Sequence, residues 1–228
     1  MKVTTMIMAL GLAAASWAQI PARPASITAV GSATVSVTPD MARVDISVVT
    51  QAVTAQDATV ANATQATAVI SALQNFVSSS SNIKTVSYYL SPVYNNPPPG
   101  QTASIIGYMV TNTVEVTLID LSQVGKVIDT AIQSGANRVQ GISFDLQDRN
   151  PVIAQALKSA AARARAQADA IASGLNVHTG TVIHASEGVN NATSMPLGAA
   201  TAAAPTTPVE TGLVVMQASV TLEVAITP

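Results

Sequence analysis

The chain predicts an α+β protein: a largely antiparallel sheet with a ferredoxin-like β-α-β-β-α-β core and helices mainly on one face, followed by a third Ala-rich helix and a C-terminal strand pair. Two observations lead there. Over residues 41–146, stretches of period-two alternation and of helical apolar spacing follow one another as strand, helix, strand, strand, helix, strand. A long alanine-rich helical stretch comes next, and the chain ends in two more strand-like runs.

Ahead of this fold stands a leader. Lys2, an apolar stretch over residues 6–15 and the small-x-small ending Ser16-Trp17-Ala18 read as a secretory signal peptide, residues 1–18, cleaved before Gln19. The stretch is shorter than the roughly 18 to 20 apolar residues that span a bilayer. No integral membrane span is therefore expected after cleavage, an uncleaved leader acting as an anchor being the alternative. Residues 19–228 are expected to form a single domain. With no cysteine in the chain, that domain must be held by core burial without disulfides, and lipid acylation is excluded.

In the first strands, Ala33, Val35 and Val37 alternate with polar residues, and after Pro39-Asp40 the pattern resumes at Ala42, Val44, Ile46 and Val48. A β-hairpin with one buried face is expected. Thr54 and Asp57 read as a capping box opening a helix that runs to about Asn75, with Ala58, Ala61, Ala68, Val69, Ala72, Leu73 and Phe76 inward. A strand follows over residues 83–90, then a loop over 92–101 enforced by Pro97, Pro98, Pro99 and Gly100. The clearest strand has Ile106, Tyr108, Val110, Val114, Val116 and Leu118 on one face, interrupted only by Asn112.

Asp120 caps a second helix carrying Leu121, Val124, Ile128, Ala131 and Ile132, and Gly135 stops it. Strand alternation returns over residues 138–146. Asn150-Pro151 then opens the third helix, which ends before Gly174 and turns Ile153, Leu157, Ala160, Ala164, Ala168 and Ile171 one way. Side chains this small call for close approach to a sheet. A strand is expected over 179–187, a flexible low-complexity loop over 189–211, and a final long strand through Val214, Met216, Ala218, Val220, Leu222, Val224 and Ile226.

Charge narrows the partners. Losing Lys2 leaves 9 basic against 12 acidic residues, a net charge of −3, too weak a field to draw nucleic acid or an anionic membrane. With 3% aromatics there is no stacking platform for nucleic acid either. Only 10% of residues are charged, which leaves a surface that resists association poorly. A homo-oligomer is expected, with another envelope protein as a further partner; an ordinary neutral envelope protein is the alternative reading of the same composition.

Catalytic patterns are thin. His178 and His184 do not match a metal-binding helix spacing. The serines lack a G-x-S-x-G elbow. Asp40 could meet Asp45 as an acid/base pair, but a turn explains Asp40 and the solvent face of a strand explains Asp45. Gly31, Gly107, Gly135 and Gly174 sit at bends or helix ends and make no phosphate loop. Tyr88, Tyr89, Tyr94 and Tyr108 cluster around the proline loop, either as a recognition rim or as packing. No catalytic, cofactor-binding or metal-ligating residue is assigned, no cofactor is expected, and the chain is not read as an enzyme. The alternative is a periplasmic hydrolase whose site gathers from separate strands, in which His184 or Asp40 would matter.

Several short matches occur in order along the chain. They are Val30-Gly31 leading through Val35 and Val37 to Pro39-Asp40-x-Ala42, Ile83-Lys84-Thr85, Gly107-Tyr108, Asp120-Leu121, Gly135-Ala136, and the helix ending at Gly174-Leu175. In these the sequence resembles the SIMPL-domain family of exported bacterial proteins, which includes periplasmic immunogenic proteins and proteins linked to oxidative-stress defence. The resemblance implies an α+β fold, a periplasmic or secreted location in the cell envelope, oligomeric assembly and no established enzymatic activity. It departs from the family pattern at residues 97–100 and 189–211. The expectation is an exported non-enzymatic envelope protein that acts by assembly or binding in envelope or oxidative stress tolerance.

Overall fold

Ten elements form where the two periodicities place them in the computed structural model, which describes residues 24–77, 79, 82–195 and 207–228. They are β1 (Ser26–Val37), β2 (Met41–Ala52), α1 (Ala55–Leu73), β3 (Ile83–Tyr94), β4 (Ile105–Leu118), α2 (Val124–Gln133), β5 (Arg138–Asp145), α3 (Asn150–Gly174), β6 (His178–Met195) and β7 (Leu213–Thr227). The signal peptide expected at residues 1–18 lies outside the described residues.

Alternation in β2 and β4 turns Ala42, Val44, Ile46 and Val48 the same way as Val114, Val116 and Leu118, and α1 and α2 bury them. Thr54 caps α1 as its sequence implies: its hydroxyl accepts from the Asp57 backbone N–H at 3.1 Å and donates to the Asp57 carboxylate at 2.7 Å. The α1 stripe is Ala58, Asn62, Ala66, Val69 and Leu73. Ala61 and Ala68, expected inward, are exposed. The buried Asn62 sets the register of this face, its side-chain N–H donating to the Val48 carbonyl at 2.9 Å. Asp120 caps a short 3₁₀ turn (Leu121–Gln123) that runs into α2, and Gly135 ends that helix with φ 114. Ile132 faces solvent instead of the core.

Strand order in this sheet is β3-β4-β2-β5, with every neighbouring pair antiparallel. This is the split β-α-β arrangement that the element order predicts.

The strands around Pro39-Asp40 do not pair with each other. β1 crosses into a second sheet, ordered β1-β7-β6, while β2 takes the centre of the first. The reason is what each apolar face needs. In β1, Ile27, Ala29 and Ala33 require the shallow alanine surface of α3, whereas the β2 residues require the bulkier α1 and α2. The third helix and the last strands therefore build a second layer with β1, and the first sheet is not extended by them.

On α3 the buried residues are Ala156, Ala160, Ala164, Ala168 and Ala172. The approach is so close that a Cβ on Gly31 would fall 2.1 Å from the Ala160 carbonyl oxygen and 2.3 Å from the Ala164 nitrogen. Ile171, placed inward by its spacing, lies at the margin of this contact and is exposed.

Two boundaries move. β3 runs on to Tyr94, so the loop expected from Pro92 starts later. β6 runs to Met195, where Met195 pairs with Leu213, so the loop expected from Val189 also starts later. Both extensions are held by backbone pairing with the neighbouring strand, β4 for β3 and β7 for β6. Near the end of that segment Val209 packs against the first core, and the Thr207 hydroxyl donates to Asp129 at 2.7 Å.

The layers join where β5 passes into α3. Leu146, Val214 and Met216 form a small core there with Val37, Val152 and Ile153. Beside it the buried Asp145 accepts from both Arg149 and Arg43.

Candidate functional site

The most unusual surface lies on the β3–β4 hairpin. Ala52, the last residue of β2, pairs with Tyr108, while β4 begins at Ile105 opposite Tyr94, so the hairpin continues past its neighbour. Residues 85–114 hold no Asp, Glu, Lys, Arg or His, yet they hold all four tyrosines of the chain. Tyr88 and Leu90 pair with Asn112 and Val110 on the side that carries α1; Tyr89 pairs with Thr111 on the other side. Tyr88, Tyr89 and Tyr94 are 52%, 63% and 55% exposed, and Ile105 and Ile106 about half exposed. Tyr108 is half-buried. Of the two readings open for the tyrosines, the structure places three of the four on a rim. The sequence signal that locates this surface is the charge-free run, more than the tyrosines themselves.

On the helix-free side of the first sheet, ladder pairing sets Lys84, Glu115 and Asp45 in a row across β3, β4 and β2. Lys84 Nζ lies 2.9 Å from Glu115 Oε1. Asp45 Oδ1 is buried without a hydrogen-bond partner. In the adjoining row the Ser47 and Thr113 hydroxyls bond at 2.8 Å. Directly opposed carboxylates repel, and the lysine offsets one of them. In the sequence Lys84 stands out only within the Ile83-Lys84-Thr85 match and Glu115 only as a polar-face residue of its strand, and neither carries a motif that pairs them.

The other candidates separate. Asp40 does not join Asp45. It accepts from the Gln147 backbone N–H at 2.7 Å and ties the β1–β2 turn to the end of β5. His184 pairs with Glu223 on β7, and His178 opens β6. His178 lines a recess of about 410 Å³ at the end of α3, together with Asp169, Ser173, Asn176 and Thr179. The composition invites comparison with a nucleophile, base and acid set. However, Asp169 accepts from Arg165 and Thr179, and Arg165 also donates to the Gly180 carbonyl at 3.1 Å, a network that fixes the helix end to β6. Among the described residues no group of three or more His, Cys, Asp or Glu side chains is placed to hold a metal ion. Gly135 and Gly174 end helices as expected, whereas Gly31 and Gly107 lie within β1 and β4 instead of at bends, where a Cβ would meet the Ala160 and Ala164 backbone and the Ala52 carbonyl oxygen.

Asp145 is the buried carboxylate of the layer junction. Burial alone would raise its pKa, but hydrogen bonds from Arg149 and the Leu146 N–H, with the Arg149 and Arg43 charges, outweigh burial and hold it below the ordinary value.

Fold and surface together define an α+β domain of two antiparallel sheets with helices layered on them. The chain belongs to the SIMPL family, described as proteins of unknown function (DUF541), whose model matches residues 27–224. It is 33% identical over 174 residues to a 26 kDa periplasmic immunogenic protein of Brucella melitensis, covering 74% of this chain and 69% of that one. The protein of the same name in Brucella abortus matches to the same extent. An uncharacterised protein YggE of Edwardsiella ictaluri is 27% identical over 215 residues, covering 90% of this chain and 87% of its own. Among the described residues no helix is long and apolar enough to cross a membrane.

Proposed function

We propose that this is an exported protein of the cell envelope that works by assembly or binding, without catalysis, and supports tolerance of envelope or oxidative stress. The single observation that carries the reading is the hairpin: a stretch of 30 residues, 85–114, with no charge and with exposed tyrosine, isoleucine and leucine side chains. Leaving such a patch in water forgoes about 25 cal/mol per Å² of apolar area, and patches of this kind mark interaction sites. The periplasmic names of the Brucella relatives support the location.

Crosslinking with mass spectrometry in intact cells tests the reading, because it reports compartment, partners and self-contacts together. Crosslinks from the hairpin to another chain or copy are expected. A protein confined to the cytoplasm, or a hairpin with no crosslinks in the envelope, overturns the proposal. Deleting the protein should lower survival under peroxide or envelope challenge, with survival restored by the wild-type chain.

A further inference from the structure

Sheet order makes β3 an outer strand, with β4 on one side and, among the described residues, no strand paired on the other. Outer strands are usually blunted by charge, but the only charge on β3 is Lys84, already beside Glu115. Two interruptions do mark the strand. The β3–β4 register shifts between Thr85 and Ser87, which leaves Val86 as a bulge. Pro92 has no N–H to give to a ladder. Between them residues 87–91, Ser-Tyr-Tyr-Leu-Ser, form an uninterrupted edge.

We infer that this edge pairs antiparallel with the same edge of a second copy, with Tyr89 on the twofold axis. A strand edge related by a twofold is self-complementary, and the register follows from the two interruptions. Centring on Tyr89 sets Val86 against the partner's Pro92 and Pro92 against the partner's Val86, so each interruption meets another. Any other centre shortens the window. Tyr88 then lies across from the partner's Leu90, an aromatic–aliphatic cross-strand pair, and Tyr89 meets the partner's Tyr89 on the opposite face.

Being uncharged, the surface meets its own copy with no like-charge repulsion. Along this edge Val86, Tyr88, Tyr89 and Leu90 are each about half exposed, apolar area that the second copy covers. The inference rests on the assembly reading above and names its partner: this chain.

The chain contains no cysteine, so Tyr89→Cys introduces the sole thiol. Directly opposite residues in an antiparallel pair lie about 4.5–5.5 Å apart, within disulfide reach. Under mild oxidation the full-length Tyr89→Cys protein should give at least ten times more disulfide-linked dimer than Ile183→Cys on the exposed outer strand β6. Light scattering on the wild type should show an oligomer, and Leu90→Lys should reduce it to a smaller species while circular dichroism stays unchanged.

An oligomer whose Tyr89→Cys form crosslinks no better than Ile183→Cys, or one that survives Leu90→Lys intact, overturns the pairing and leaves assembly standing through another surface. A wild-type protein that stays monomeric overturns the pairing, while in-cell crosslinks from the hairpin to a different protein would keep the binding reading.

Discussion

At the scale of single residues, two side chains with buried polar atoms carry opposite consequences. Asp145 is 4% exposed and accepts from Arg149, from Arg43 at 3.3 Å and from the Leu146 N–H at 2.8 Å. Asp145→Asn should cost about 1–3 kcal/mol at pH 7, since both arginines lose a charged acceptor. A carboxyl whose folded pKa is depressed contributes stability above its unfolded range and loses it as pH falls through the folded value. The gap between wild type and Asp145→Asn should therefore narrow below about pH 4. Urea unfolding at pH 7 and pH 3 checks this, and an unchanged gap would assign the effect to packing. Asn112 is the reverse case: it interrupts the apolar row of β4 and its Oδ1 is buried without a partner. Asn112→Val should raise stability by about 0.5–1 kcal/mol, read as a higher melting temperature.

At the scale of elements, the contact between α3 and β1 depends on the absence of side chain on both surfaces. Gly31 lies under the backbone of Ala160 and Ala164, and backbone cannot move aside as a flexible side chain can. Gly31→Ala should cost about 3 kcal/mol or more. Gly141, in β5, has open space where its Cβ would be, and Gly141→Ala should stay within about 0.5 kcal/mol. Measuring both by denaturant unfolding separates close packing from any general penalty for altering a strand glycine. A second element-scale contrast lies in the outer strands. β3 keeps its charge at one end only, whereas β6 carries His184 and Glu187 within its length. Of the two, β3 is the better prepared to accept another strand.

At the scale of the whole molecule, two layers meet at the junction of β5 and α3, and the hairpin extends from the first of them. Substitutions at the layer junction should alter stability and leave association unchanged. Leu90→Lys should do the converse, because Leu90 is 42% exposed and belongs to no core cluster. Comparing Asp145→Asn and Leu90→Lys side by side, by unfolding and by light scattering, tests that separation. If Asp145→Asn also dissociates the oligomer under conditions where it is folded, the two layers are coupled to assembly.

The sequence by itself determined the order and kind of the elements, the capping of α1 by Thr54 and the end of α2 at Gly135, because these depend on periodicity and on residues a few positions apart. It also determined that α3 must lie close to a sheet, since alanine leaves no other way to bury that face. Strand partners were decided only in three dimensions. The alternation of β1 fits any neighbour equally well, and the choice of β7 over β2 came from the shape of the helix each strand must cover. The candidate surface divides in the same way. Its missing charges are written in the chain, but whether tyrosines fill a core or form a rim depends on where β2 ends, and β2 ends at Ala52, short of the hairpin.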